Sequence, residues 1–185
     1  QATRNYGADV ILRGHTVSEP LRAAAEFAEA TGAILIHPFD HMDVITGQGT
    51  LGLEILDQVP DVETIIVPVG GGGLIAGIAS AVTQRAALDG RKIRVIGVQV
   101  ENSAPYPVSI ERGEPIEIRT KPTIADGIAV SKPGDLNFAI IRDLVDEIVT
   151  VTEDETARAL LVLLERAKLV VEPAGAVAVA AILAG

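Results

Sequence analysis

Four consecutive glycines, Gly70–Gly73, are the part of this 185-residue sequence whose residue types most clearly suggest a chemical task. They directly follow the apolar run Thr64–Val69 and precede an apolar helical pattern that starts at Leu74. Glycine has no Cβ, so successive backbone amides can converge on one small anion, and a helix N-terminus adds unpaired N–H donors and roughly half a positive charge. A strand, a glycine run and a helix in this order predict a site for a phosphate monoester.

Other interpretations of the glycines compete with a phosphate site. The glycines could simply close a tight turn between strand and helix, although one or two would suffice for that. Gly71, Gly73 and Ala76 also satisfy the relaxed G-x-G-x-x-A pattern of dinucleotide sites, with Glu101 as a candidate ribose ligand. Glu101 lies beyond the usual spacing of about 20 residues. A Walker-type loop is excluded, because no Gly-Lys-Ser/Thr follows.

The elements around the glycines alternate between strand-like and helical patterns. The strand-like runs are residues 10–12, 33–36, 64–67, 93–98 and 147–151, and the candidate helices are residues 18–31, 44–58, 74–88, 135–145 and 153–167. This alternation predicts an α/β fold with a mostly parallel sheet covered by helices on both faces. Thr152 and Glu155 have the spacing of a capping box, which predicts that a helix begins at Glu153.

Composition and charge exclude several classes of protein. With 48% apolar and 22% charged residues, the chain can bury a core, which excludes disorder. The net charge of −10 disfavours nucleic acid and lipid surfaces as partners and favours a small molecule. The absence of cysteine excludes disulfides, thiolate metal sites and a cysteine nucleophile. No apolar run reaches the roughly 18 residues of a membrane span.

Pro38 marks the best candidate for a domain boundary, because proline disfavours a helical conformation in the residue before it. Residues 1–37 would then be the tail of one domain, and residues 38–185 most of another. The N-terminal residues have neither an initiator methionine nor a signal-peptide pattern. We therefore expect the sequence to be a piece of a longer chain.

Four segments that occur in a fixed order resemble one enzyme family. They are residues 43–54, 67–77, 125–130 and 171–176, which read DVITGQGTLGLE, VPVGGGGLIAG, ADGIAV and VEPAGA. Together they resemble the serine/threonine dehydratase branch of the fold-type II pyridoxal-phosphate enzymes, especially threonine ammonia-lyases, with serine racemases as close relatives. The resemblance covers essentially the whole chain and disfavours a dinucleotide site.

The resemblance implies a fold, a cofactor and a reaction. The fold would be tryptophan-synthase-β-like, with the end of a small domain in residues 1–37 and a large cofactor-phosphate-binding domain, incomplete at its C-terminus, in residues 38–185. The cofactor would be pyridoxal 5′-phosphate, and the intact enzyme would dehydrate and deaminate L-threonine, and L-serine, to a 2-oxo acid and ammonia. Serine racemase, or another β-hydroxy amino acid lyase of the family, is one alternative. A non-catalytic phosphate-binding regulatory module is an alternative of another class.

Further expectations concern partners and location. We expect a small amino acid as the substrate and neither nucleic acid nor a membrane as a partner. We also expect a homo-oligomer in the cytoplasm.

The resemblance also assigns roles to individual residues. The amides of Gly70, Gly71, Gly72 and Gly73, together with Leu74, match the loop that holds the cofactor phosphate. Asp126 and Gly127 match a segment on the substrate side of the cofactor. Glu172 matches a glutamate beside the pyridine ring, and its alternative role is a structural carboxylate that caps the helix beginning near Pro173. Gln48 and Thr50 are interpreted as packing and loop-fixing residues.

Several family features have no match in the sequence. The family's Schiff-base lysine lies in a Ser-x-Lys motif that is not found here, and none of the four lysines has that context: Lys92, Lys121, Lys132 and Lys168. The catalytic residues are therefore unknown within this chain, and we expect the chain alone to be inactive. Gln99 and Pro105 stand where some relatives carry acidic metal ligands, so no metal site is expected. His15, His37 and His41 lack metal-ligand spacing.

Overall fold

The structure, a computed structural model, describes residues 1–14 and 18–185, and of Ser18 only the backbone. The chain divides into two compact units, Gln1–His37 and Pro38–Gly185. The candidate residue His15 lies outside the described residues. No helix among the described residues is long and apolar enough to cross a membrane.

The first unit contains helices and extended segments. Its helices are α1 (Ala2–Asn5) and α2 (Ser18–Thr31), the second of which was predicted. The prediction of strands at residues 10–12 and 33–36 is wrong, because neither run is a strand in the described part of the chain. A short apolar run favours an extended backbone, but a strand also needs a neighbour that accepts and donates its hydrogen bonds. Leu12 and Ile34 in these runs are 83% and 91% exposed.

The second unit alternates strands and helices as predicted. Its elements are α3 (Met42–Gln58), β1 (Thr64–Pro68), α4 (Gly73–Leu88), β2 (Arg94–Val100), α5 (Pro105–Arg112), a 3₁₀ turn (Asp126–Ile128), α6 (Asp135–Leu144), β3 (Glu147–Val151), α7 (Glu153–Val162), a π-helical turn (Leu163–Ala167) and α8 (Pro173–Ala184). Two differences from prediction stand out. Helix α5 was not predicted, and the helix expected to run to Ala167 changes to π-helical geometry at Leu163.

The three strands form a parallel sheet in the order β1-β2-β3. Successive side chains on a strand point to opposite faces. Ile65, Val67 and Val95 accordingly lie in one buried cluster, and Val98 and Val151 lie in a second one. Helix α4 contributes to the first cluster and helix α8 to the second. The described part of the chain thus has the predicted parallel sheet with helices on both faces.

Helices α3 and α4 approach closely because glycines stand at their contact. A Cβ added to Gly49 would lie 3.1 Å from the Gly77 carbonyl oxygen, and one added to Gly52 would lie 3.1 Å from that of Ile78. A Cβ on Gly77 would overlap the carbonyl oxygen of Ile45. The glycines of α3 therefore fix the position of α4, and with it the glycine run at the start of α4.

Candidate functional site

The glycine run lies where β1 ends and α4 begins, at the carboxyl edge of the sheet. Strand β1 ends at Pro68, and Gly72 is the N-cap of α4 with a φ of 100°. A positive φ of this size is readily adopted only by glycine. The predicted order of strand, glycine run and helix is therefore present. Ligands of parallel α/β sheets bind at this edge.

Within the described part of the chain, the backbone amides of this loop have no hydrogen-bond acceptor. On one side of the loop, the Val69 amide donates to the Val98 carbonyl at 2.8 Å, and on the other the Ala76 amide donates to the Gly72 carbonyl at 2.9 Å. The amides of residues 70–75, between these two, have no acceptor in the described ranges 1–14 and 18–185. The first amides of a helix have no acceptor inside that helix. The loop thus offers a row of unused donors.

The carbonyl oxygen of Gly71, in contrast, accepts three hydrogen bonds. It accepts from the Gly134 amide at 3.1 Å, from the Tyr106 hydroxyl at 3.0 Å and from Asn137 Nδ2 at 3.0 Å. A trans peptide bond points its N–H opposite to its C=O, and the described chain contains no cis peptide bond. The amide of Gly72 therefore points away from these three donors.

The space behind the loop is filled, and this fits a phosphate bound by backbone atoms. A Cβ on Gly71 would overlap the ring of Phe39, and one on Gly72 would overlap the Tyr106 hydroxyl. A Cβ on Gly73 would lie 2.7 Å from the Phe39 carbonyl oxygen. The loop is thus pressed against the protein, and it brings no acidic side chain that would repel an anion. Unused amides, the positive end of α4 and this close packing fit the phosphate group of pyridoxal 5′-phosphate.

Tyr106 is a buried donor that stays protonated. Its side chain is fully buried, and burial, followed by the nearby negative charge of Asp40, raises the pKa of its hydroxyl far above the ordinary value. Its own amide donates to Gln99 Oε1 at 3.0 Å, while Gln99 Nε2 donates to the Val69 carbonyl at 3.1 Å. Gln99 is therefore engaged between the strand that leads into the loop and the helix that carries Tyr106.

Asp40 is a site residue that sequence reasoning missed. Its carboxylate accepts from the amides of Asp135, Leu136 and Asn137 at 2.9, 3.0 and 3.2 Å, so it caps the N-terminus of α6. An acid stabilises that end of a helix through hydrogen bonds and the helix dipole. The cap and its helix are more than 90 residues apart in sequence. No local pattern signals such a pairing.

The structure brings three of the predicted site segments together. A Cβ on Gly70 would lie 3.2 Å from Ile128 Cα, and one on Gly127 would lie 3.4 Å from Glu172 Oε1. The glycine run, the turn that contains Asp126 and Gly127, and Glu172 are therefore neighbours. Glu172 is the N-cap residue of α8, but its side chain makes no capping hydrogen bond. The capping alternative thus lacks its defining contact.

Other residues singled out in the sequence lie in structural contacts. Thr50 donates to the Gly47 carbonyl inside α3 at 2.7 Å, and His41 Nδ1 accepts from the Asp43 amide at 3.2 Å at the start of the same helix. Among the lysines, Lys92 pairs with Asp146, Lys132 with Asp135, and Lys168 donates to the Glu165 carbonyl. The described side chains contain no group of three or more His, Cys, Asp or Glu residues that could hold a metal ion.

Comparisons with known proteins extend over the whole chain. The family described as pyridoxal-phosphate dependent enzyme matches residues 1–185. An L-threonine ammonia-lyase from Thermotoga maritima is 52% identical over 181 residues, covering 98% of this chain and 44% of that protein. Among solved structures, a threonine deaminase from T.th. matches with a TM-score of 0.87 and 40% identity, over 98% of this chain and 59% of that one.

Maize serine racemase matches almost equally well. Its TM-score is 0.88 at 36% identity, over 97% of this chain and 53% of that one. These matches confirm the predicted fold class and the resemblance to threonine ammonia-lyases. The chain spans about half the length of the relatives that it matches.

Proposed function

The chain belongs to the pyridoxal-phosphate dependent enzyme family, and from this membership we propose that its full-length protein is a threonine ammonia-lyase. It dehydrates and deaminates L-threonine, and L-serine, to a 2-oxo acid and ammonia. The observation that carries the proposal is the glycine loop with its unused amides, which lies next to the turn that contains Asp126 and Gly127. The name of the Thermotoga maritima relative supports the choice of reaction.

The residues of this chain hold the cofactor by its phosphate. The amides of Gly70–Leu74 donate to the phosphate oxygens, and the N-terminus of α4 adds its positive potential. Phe39 and Tyr106 pack against the loop from behind and leave its backbone little room to move. When bound, pyridoxal 5′-phosphate supplies an electron sink for the negative charge that develops at the substrate Cα.

Asp126, Gly127 and Glu172 face the rest of the cofactor in this proposal. Glu172 would lie beside the pyridine ring, and its exposed carboxylate would orient that ring by charge and hydrogen bonding. Asp126 and Gly127 line the substrate side. The adjacency of Gly127 to Glu172, with 3.4 Å between an added Cβ and Oε1, supports their action on one ligand.

The wider organisation of the protein is part of the same proposal. Residues 1–37 are the end of a small domain, and residues 38–185 are the large cofactor-phosphate-binding domain. The lysine that bonds to the cofactor lies outside these residues. We place the enzyme in the cytoplasm, and we expect a homo-oligomer.

Serine racemase is the second candidate, because the maize enzyme matches this structure with a TM-score of 0.88. The test is to incubate the full-length holoenzyme with L-threonine and with L-serine and to measure 2-oxo acid, ammonia and D-serine. We expect stoichiometric 2-oxo acid and ammonia from L-threonine. Formation of D-serine without 2-oxo acid would favour the racemase, and no change in either amino acid would overturn both assignments.

The position of the cofactor-bonding lysine has its own test. Borohydride reduction of the holoenzyme followed by peptide mapping should place the pyridoxyl group on a lysine outside residues 1–185. A stoichiometric label on one of the chain's own lysines would overturn the assignment; these are Lys92, Lys121, Lys132 and Lys168.

A further inference from the structure

We propose that Tyr106 and Asn137, supported by Asp40, are positioning residues that set the affinity of the glycine loop for phosphate. This inference rests on the proposed function, because it explains how the loop binds the cofactor phosphate. None of the three side chains belongs to the loop. All three act on it through the carbonyl of Gly71 or through the helix that carries Asn137.

The carbonyl oxygen of Gly71 accepts hydrogen bonds from three donors. A carbonyl oxygen has two lone pairs, yet that of Gly71 accepts from the Tyr106 hydroxyl, from Asn137 Nδ2 and from the Gly134 amide, all within 3.1 Å. The orientation of the peptide between Gly71 and Gly72 is thereby fixed from three directions. A loop of glycines has many accessible backbone conformations, and fixing one of them removes an entropic cost of binding.

The same three hydrogen bonds polarise the peptide group between Gly71 and Gly72. Hydrogen bonds accepted by a C=O strengthen the N–H of the same peptide group as a donor, because the bonds of a chain polarise one another. The N–H of this peptide belongs to Gly72 and points away from these three donors, without an acceptor in the described part of the chain. The three donors behind the loop therefore make the Gly72 amide a stronger donor to an anion in front of it.

Burying these two polar side chains is energetically unfavourable. Tyr106 and Asn137 are both fully buried. Asn137 donates to the Phe39 and Gly71 carbonyls at 3.0 Å each, but its own Oδ1 is buried without a partner among the described residues. A buried acceptor without a partner is unfavourable. An apolar side chain would avoid that cost but would release both carbonyls.

Asp40 fixes the position of Asn137. Its carboxylate accepts from the amides of Asp135, Leu136 and Asn137, so the first turn of α6 is held at Asp40. The Gly134 amide, which also bonds to Gly71, directly precedes that turn. Asp40 therefore acts on the loop through Gly134 and Asn137.

The experiment compares two ligands that differ only in the phosphate. The full-length protein, freed of cofactor, is titrated with pyridoxal 5′-phosphate and with pyridoxal by absorbance. The variants are Tyr106→Phe, which removes one donor, and Asn137→Leu, which removes the amide donor together with the unpartnered oxygen. Tyr6→Phe is the matched control, because Tyr6 is 90% exposed and lies in the other unit.

We expect Tyr106→Phe and Asn137→Leu each to weaken the binding of pyridoxal 5′-phosphate by about three- to tenfold, the equivalent of one ordinary hydrogen bond. The affinity for pyridoxal should stay unchanged, and the ³¹P resonance of the bound cofactor should shift. Tyr6→Phe should match the unaltered protein. The urea midpoint of each variant establishes that it is folded before titration.

Three results would overturn the inference. Unchanged affinities for both ligands in both folded variants would show that the side chains do not act on the phosphate. An equal loss for both ligands would show a merely structural role. If the unaltered protein bound pyridoxal as tightly as pyridoxal 5′-phosphate, the phosphate-binding loop itself, and with it the proposed function, would be wrong.

Discussion

Replacing Gly72 by alanine should both destabilise the protein and abolish retention of the cofactor. Gly72 has a φ of 100°, and an added Cβ would overlap the Tyr106 hydroxyl and lie 2.8 Å from Ile141 Cδ1 and 3.0 Å from Asn137 Cβ. The new methyl group therefore points into the packed side of the loop. To make room, either Tyr106 or the loop must move, and each movement breaks the bond to the Gly71 carbonyl.

The size of the effect follows from three contributions. A left-handed backbone at a non-glycine residue costs about 1–2 kcal/mol, and overpacking a filled site costs about 1–3 kcal/mol. Loss of the hydrogen bond between Tyr106 and Gly71 adds about 1 kcal/mol. We expect the free energy of unfolding to fall by roughly 3–6 kcal/mol, which is a large part of the usual stability of a domain.

Two other glycines separate these contributions in a urea titration. Gly90 has a φ of 66° with nothing within 4 Å of an added Cβ, so Gly90→Ala measures backbone strain alone. Gly47 lies in α3 with open space around it, so Gly47→Ala removes a helix-interior glycine and should stabilise by about 0.5–1 kcal/mol. Retention of the cofactor is read from its absorbance after gel filtration of the full-length protein.

The expected order of urea midpoints is therefore Gly47→Ala highest, Gly90→Ala slightly below the unaltered protein, and Gly72→Ala far below it. A Gly72→Ala protein with the midpoint of Gly90→Ala and unchanged cofactor absorbance would refute the reasoning. It would mean that the space behind the loop is not filled as described.

Three further predictions concern stability outside the loop. Asp146 accepts from the Val95 amide at 3.0 Å and pairs with Lys92 at 2.7 Å, and both contacts lower the pKa of its carboxyl. Because the unfolded pKa is higher, about 3.9, this stabilisation is present at pH 7 and is lost as the pH falls through the folded value. Asp146→Asn should therefore be most destabilising at pH 7 and less so as the pH falls. Thr152→Ala should cost about 1 kcal/mol in a urea titration, because it breaks the capping box with Glu155 at the start of α7. Lys168→Gly should raise the free energy of unfolding by up to about 1 kcal/mol and the urea midpoint with it. Lys168 has a φ of 59°, a left-handed conformation that glycine adopts without strain.

Each of these predictions has a control and a contrary result. Asp89→Asn removes a comparably charged but more exposed carboxylate, and an Asp146→Asn deficit that does not shrink as the pH falls would contradict the linkage. Thr46→Ala removes a hydroxyl that bonds to the Met42 carbonyl within α3, and it should cost less than Thr152→Ala. A lower midpoint for Lys168→Gly would show that its Nζ bond to the Glu165 carbonyl outweighs the backbone strain.

The sequence predicted the parts of the fold that depend on local patterns. Strands β1, β2 and β3 were found from apolar runs, the start of α7 from Thr152 and Glu155, and the turn between β1 and α4 from its glycines. The runs at residues 10–12 and 33–36 were misassigned, because an apolar run does not show whether a strand has a neighbour.

The contacts behind the loop could not be predicted, because they join distant residues. Tyr106 and Gly71 are 35 residues apart, Asn137 and Gly71 are 66 apart, and Asp40 and Asp135 are 95 apart. Tyr106 also lies on α5, a helix with prolines near its start that the apolar pattern did not reveal. A glycine run indicates where an anion binds, whereas the side chains that hold the run depend on how the elements pack.

The bond from Asp40 to the start of α6 also bears on the order in which the protein folds. It closes a chain loop of 95 residues that contains α3, β1, α4, β2, α5 and the 3₁₀ turn. Closing a long loop is entropically unfavourable and must be offset by contacts already made within it. We therefore expect the parallel pairing of β1 with β2 to precede the docking of Asp40. In native-state hydrogen exchange, the amides of Asp135 and Leu136 should then open at lower free energy than those of Val95 and Val98. The contacts behind the glycine loop would then be the last to form and the first to open.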